Sequence, residues 1–136
     1  MKKTFYFLIL GLVLFLSSCG HDHEKSMAIM EKGVDYMYRA QYEEAMNCLN
    51  EAIKYDENNY EAYYYRGCVK VNTLRRTEGL VDYNKAIEIN PEYYPAYFNI
   101  GLYYRRIKDY DMACYYFRKA DELGRPNMED YLKVCH

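Results

Sequence analysis

From Ser26 to Leu123, apolar side chains return every three or four positions, with a short polar break inside each stretch. That is the spacing of amphipathic helices rather than the alternation of strands. It predicts helices near 26–39, 42–55, 60–73, 76–89, 94–107 and 110–123. Asp56-Glu57-Asn58-Asn59, Asn90-Pro91 and Gly124-Arg125-Pro126-Asn127 break the pattern with residues that cap and stop helices. Pro95 falls in a first helical turn, where its missing N–H is no loss. A last segment, 128–136, reads as a short helix that covers the end of the array.

The helices repeat. Gly33, Gly67 and Gly101 stand 34 residues apart, and Ala52, Ala86 and Ala120 keep the same interval. A glycine inside a helix costs about 1 kcal/mol relative to alanine, so three in register imply two helices crossing closely at each. The period divides the chain into 26–59, 60–93 and 94–127 without insertion or deletion. Ile29, Tyr63 and Tyr97 precede the glycines by four residues, and Leu49, Tyr83 and Phe117 follow by sixteen.

These offsets resemble the tetratricopeptide repeat (TPR), and the third unit matches best through Tyr97, Gly101, Tyr104, Ala113, Phe117 and Ala120. The resemblance implies an all-α fold: three tandem helix-turn-helix repeats in a right-handed superhelical solenoid, closed by the short C-terminal helix. Gly33, Ala45, Ala52, Gly67, Ala86, Gly101, Ala113 and Ala120 are then the repeat-packing positions. Lys32 and Arg66 replace the family's leucine before the glycine, where a long basic side chain can bury its stem and keep its head in water. Lys70 replaces a tyrosine, and Gly79 replaces the first alanine, which is expected to loosen the second repeat.

By the same resemblance, the first helix of each repeat lines a concave groove. Its residues become Met30, Val34 and Met37, then Tyr64, Cys68 and Val71, then Phe98, Asn99, Leu102 and Arg105. This groove is apolar and aromatic with an arginine rim, which suits an amphipathic helix or extended segment anchored by large side chains. Some relatives clamp the acidic tails of chaperones with lysines, arginines and asparagines; Met30, Val34 and Cys68 stand in place of polar members of that clamp, which argues against that ligand. The groove's alternative occupants are the final helix, the N-terminal tether or a second copy of the chain.

The N-terminus supplies a location. Lys2 and Lys3 precede an apolar run, Phe5 to Leu16, that is too short for a comfortable membrane span and reads as an export signal. It ends in Leu16-Ser17-Ser18-Cys19, which resembles the lipobox of bacterial lipoproteins; the alternative is an ordinary signal with an incidental cysteine. Lipidation predicts a signal peptide over 1–18, an acylated Cys19, a polar tether over 19–25 and attachment to a membrane of the bacterial cell envelope. Acyl chains contribute about 0.8 kcal/mol per buried methylene, so several would hold the protein there.

Charge and chemistry narrow the function. Lys2 and Lys3 leave with the signal, taking the formal charge from −2 to −4, which disfavours nucleic acid as a partner. The basic cluster of Arg75, Arg76, Arg105, Arg106 and Lys108 reads as a solvated edge, the alternative being a site for acidic lipid headgroups or an acidic peptide. Cys48, Cys68, Cys114 and Cys135 fit no zinc spacing and fix no pairing; most are expected to be small buried apolar residues, with Cys135 as a reactive thiol. His21-Asp22-His23 lies in the expected tether, where incidental solvation is favoured over a metal site. Of the 19 tyrosines, Tyr36, Tyr63, Tyr97, Tyr104 and Tyr110 read as core, but adjacent ones such as Tyr64-Tyr65 and Tyr103-Tyr104 cannot all face one side of a helix. No catalytic motif, cofactor loop or metal site is recognisable. The expected function is a membrane-anchored scaffold that holds a protein partner within an envelope assembly or secretion complex; the alternative is a structural envelope protein that associates with itself.

Overall fold

The computed structural model describes residues 22–133 and 135, and the expected signal peptide and Cys19 lie outside them. The described chain is helical: α1 (22–38), α2 (Tyr42–Tyr55), α3 (Tyr60–Asn72), α4 (Arg76–Ile89), α5 (Tyr94–Arg106), α6 (Tyr110–Glu122) and α7 (Glu129–Leu132). Within each repeat the two helices pack as a hairpin, and α2 against α3 and α4 against α5 join one repeat to the next. The expected tether is shorter than the sequence suggests, because 22–25 already belong to α1. There His23 bonds Asp56 and Lys25 lies over the Tyr55 ring, contacts that turn polar residues into part of the first repeat.

Local chemistry starts and stops these helices. Asn59 caps α3 by accepting from the Ala62 N–H, and Asp109 caps α6 by accepting from Met112. At the end of α1, α3 and α5 the chain turns through a left-handed residue, Ala40 (φ 58°), Leu74 (φ 65°) and Lys108 (φ 63°). The following N–H then reaches back to the carbonyl of Tyr36, Lys70 and Tyr104, respectively, satisfying helix-end acceptors. All three turns are made without glycine. Gly124 (φ 85°) makes the same turn after α6, with Arg125 donating to the Ala120 carbonyl.

The periodic glycines mark the closest approaches. A Cβ at Gly33 would lie 3.0 Å from Leu49 Cγ, at Gly67 2.7 Å from Tyr83 Cε1, and at Gly101 2.6 Å from Phe117 Cδ1. The side chain sixteen residues on thus fills the space each glycine leaves. Ala45, Ala52, Ala86, Ala113 and Ala120 are buried beside these contacts. Gly79 does not loosen its repeat: a Cβ there would meet Val71 Cγ2 at 2.7 Å and the Gly67 carbonyl at 2.9 Å, so α3 and α4 approach glycine to glycine.

The second repeat also holds a buried charge. Asp82 is 3% exposed and accepts from Arg66 Nε at 2.9 Å and Nη2 at 2.7 Å, with Lys70 Nζ at 2.7 Å. Arg66 therefore does not send its head into open water; it turns inward to a carboxylate. Two of the basic residues that depart from the repeat pattern, Arg66 and Lys70, thus share one buried carboxylate.

At the other end, Cys114 and Cys135 form a disulfide with Cα atoms 5.4 Å apart. This corrects the expectation of an unpaired, reactive Cys135. Cys114 does occupy its buried core position, and the chain after α7 folds back to meet it. Cys48 and Cys68 are free. The capping helix is one turn, α7, rather than most of 128–136, but Met128, Tyr131 and Leu132 still seal Phe98, Phe117 and Ala120.

Candidate functional site

Ten residues of the inferred groove fall into three environments. Met30 is 4% exposed and packs in the first core with Leu49 and Val69, while Val34 and Met37 lean on that core. These three serve packing more than display. Phe98 is also removed from the surface: the Arg125 guanidinium lies 3.3 Å from its ring centroid and Tyr131 meets it edge-on at 4.8 Å. The final helix thus fills the third repeat's part of the groove.

Between the second and third repeats, four of the inferred groove residues come together. Val71, Asn99, Leu102 and Arg105 line one cavity of about 470 Å³, together with Arg76, Tyr83, Tyr103 and Arg106. Tyr64 and Cys68 stand behind its wall. Asn99 Nδ2 donates to Tyr64 Oη at 3.2 Å and approaches Cys68 Sγ at 3.8 Å, and Tyr83 Oη donates to the same sulfur at 3.6 Å. Burial raises the Tyr64 and Tyr83 phenols well above their ordinary value and raises the Cys68 thiol, so all three are neutral near pH 7. This network fixes the wall and supplies no nucleophile.

Sequence reasoning missed Arg76 and Arg106 as cleft residues. The signal was present, because both belong to the basic cluster read there as a solvated edge. Folding decides the matter: Arg76 opens α4 just after the left-handed turn at Leu74, and Arg105 and Arg106 close α5. The helix ends of two repeats meet at one opening. Arg75 is held by Glu78, with Nε donating to Oε1 at 2.9 Å, whereas Arg76, Arg105 and Arg106 have no ion-pair partner among the described residues. No side chain caps the N-terminus of α4, so its free N–H groups add positive character. The cleft combines an apolar floor with uncompensated cationic walls.

No cluster of histidine, cysteine or acidic side chains among the described residues could hold a metal ion, and no described helix is long and apolar enough to cross a membrane.

Comparison with known proteins agrees with the architecture. Residues 33–72 match the family model described as TPR repeat, and residues 82–115 match the one described as tetratricopeptide repeat. The chain is 32% identical over 107 residues to Hsp70-Hsp90 organizing protein 2 of Arabidopsis thaliana, covering 77% of this chain and 19% of that protein. It is 29% identical over 103 residues to TPR repeat-containing protein YpiA of Bacillus subtilis (strain 168), covering 74% and 24%. It thus spans less than a quarter of either relative. Among solved structures, the Arabidopsis OM64 TPR domain superposes with a TM-score of 0.75 at 25% identity, over 82% of this chain and 94% of that one. MamA superposes with a TM-score of 0.68 at 30% identity, over 72% and 57%. Repeat period, glycine-centred crossings and these matches together place the chain in the tetratricopeptide-repeat family.

Proposed function

We propose that this protein is a non-enzymatic docking scaffold whose cleft between the second and third repeats holds a segment of a partner protein. The observation that carries this reading is the cavity of about 470 Å³ lined by Val71 and Leu102 together with three arginines that have no ion-pair partner among the described residues. An apolar anchor would displace water from the floor while carboxylates beside it answer Arg76, Arg105 and Arg106. The occupant is therefore a helical or extended segment with a large apolar side chain flanked by acidic residues. Replacing Arg76 and Arg106 with glutamate is expected to lower partner capture at least tenfold with an unchanged helical signal. Undiminished capture by that variant would remove the cleft from the function.

We propose further that Cys19 is acylated and anchors the scaffold to a membrane of the cell envelope. The reading rests on Lys2 and Lys3, the apolar run Phe5 to Leu16 and the small residues Ser17 and Ser18 before the cysteine. The chain is helical by residue 22. At about 3.5 Å per extended residue, three residues from Cys19 would keep the array within about 10 Å of the lipid surface. Cys19→Ala is expected to move the protein into the soluble fraction; retention of that variant on membranes would refute lipid anchoring.

A further inference from the structure

The segment after α6 carries features that neither packing of three repeats nor a simple end cap requires. A four-residue helix is far below the length at which helices persist unaided. It is held instead by Met128, which is 2% exposed, by Tyr131, whose ring lies 4.8 Å from Phe98 and 5.3 Å from Phe117, and by the Cys114–Cys135 bond. The bond fastens the far end of the segment to α6, and Gly124 at φ 85° and Asn127 at φ 58° form the bend at the near end. The segment occupies the position that the inner face of the third repeat would offer to a ligand.

Its sequence has the chemistry proposed for such a ligand. Met128, Tyr131 and Leu132 turn inward, while Glu129 and Asp130 stay exposed between them. Arg105 joins this face to the cleft, since its guanidinium lines the cavity and lies 5.1 Å from the Tyr131 ring centroid. A side chain that borders both sites is displaced from neither without affecting the other.

We infer that the Phe98–Phe117 face is a second interaction surface, occupied by the chain's own C-terminal segment while Cys114 and Cys135 are bonded, and opened by thiol reduction to an aromatic side chain of the partner. Cys135 is the more accessible sulfur and Cys114 the buried one. A dithiol reductant would attack Cys135 Sγ as its thiolate and expel the Cys114 thiolate, which takes a proton. The reductant's second thiolate then attacks its own sulfur in the mixed disulfide and releases Cys135, which is protonated in turn; the reductant leaves as a disulfide, two electrons having passed to the protein. Without the bond, the one-turn helix is held by its side chains and by the Arg118 Nη2 hydrogen bond to the Cys135 carbonyl at 3.4 Å.

The latch stands on these contacts alone, and only the identity of the occupant rests on the partner-binding reading. Hydrogen exchange of the full chain, oxidised and reduced, tests it together with fluorescence of the apolar dye anilinonaphthalene sulfonate. Reduction is expected to raise exchange at Tyr131, Leu132 and Lys133 at least tenfold, to increase dye emission, and to leave α1 to α5 protected. Cys135→Ser should reproduce the reduced behaviour without reductant. Unchanged exchange in this segment after reduction would overturn the latch, and a freed segment with no rise in dye emission would overturn the surface. Failure of the cleft reading shows separately, as unaltered partner capture by the Arg76 and Arg106 double variant.

Discussion

Arg66 and Asp82 form a two-pronged ion pair across the helices of the second repeat, at 2.9 and 2.7 Å, with the carboxylate almost fully buried. Lys70 completes the set from one turn further along α3. Two residues that depart from the repeat pattern, Arg66 and Lys70, are thus compensated by Asp82. Such a group is costly to break but not costly to replace as a unit.

Asp82→Ala should therefore destabilise the fold by about 3–5 kcal/mol, because it leaves two cations without their partner in a buried site. Replacing Arg66, Lys70 and Asp82 together with apolar residues of similar volume should be neutral or stabilising by about 1–4 kcal/mol. Urea unfolding of the single and triple variants measures both; additive losses would show that the three do not act as a group.

Alanine is the better helix former, yet Gly101→Ala should cost about 1–3 kcal/mol, since its Cβ would lie 2.6 Å from Phe117. The same sign is expected for Gly79→Ala, where Val71 and the Gly67 carbonyl stand in the way. Thermal unfolding decides each case; a higher midpoint in either variant would mean that the crossing yields.

Leu74 makes the opposite case. It is 71% exposed and holds φ at 65°, so its side chain contributes little while its backbone is strained. Leu74→Gly should raise stability by up to about 1 kcal/mol, relief of the left-handed strain outweighing the added freedom of the unfolded chain. A lower denaturation midpoint would contradict this.

Alkali should unfold the array through its buried phenols. Burial is the main cause that raises Tyr64, Tyr83 and Tyr93 in the folded state, so the native chain keeps protons that the unfolded chain gives up. Their contribution is complete below the ordinary tyrosine value of about 10 and declines as pH rises past it. Ultraviolet titration should show Tyr64, Tyr83 and Tyr93 ionising only with loss of helicity. Complete ionisation of all tyrosines in a still helical chain would refute this.

The length of the period, the six main helices and the glycine crossings were legible in the sequence because they are local or strictly repeated. Gly33, Gly67 and Gly101 announced their contacts through their cost in a helix, and Leu49, Tyr83 and Phe117 supplied the side chains that fill the space. Pairings between particular side chains were not legible. Nothing in the spacing of Arg66, Lys70 and Asp82 states that they meet, and the spacing of Cys114 and Cys135 likewise fixes no bond.

The cleft shows the same division. The family resemblance put Val71, Leu102 and Arg105 on inward positions, but Phe98 shares their register and is covered by Tyr131 and Arg125. Arg76 and Arg106 read as surface charge until the ends of α4 and α5 were brought to one opening. Repetition and helix-forming preference are written along the chain, so sequence alone determined the repeat fold. Which charges converge, which aromatic is sealed and which cysteines bond depend on distances across repeats, and those exist only once the helices have packed.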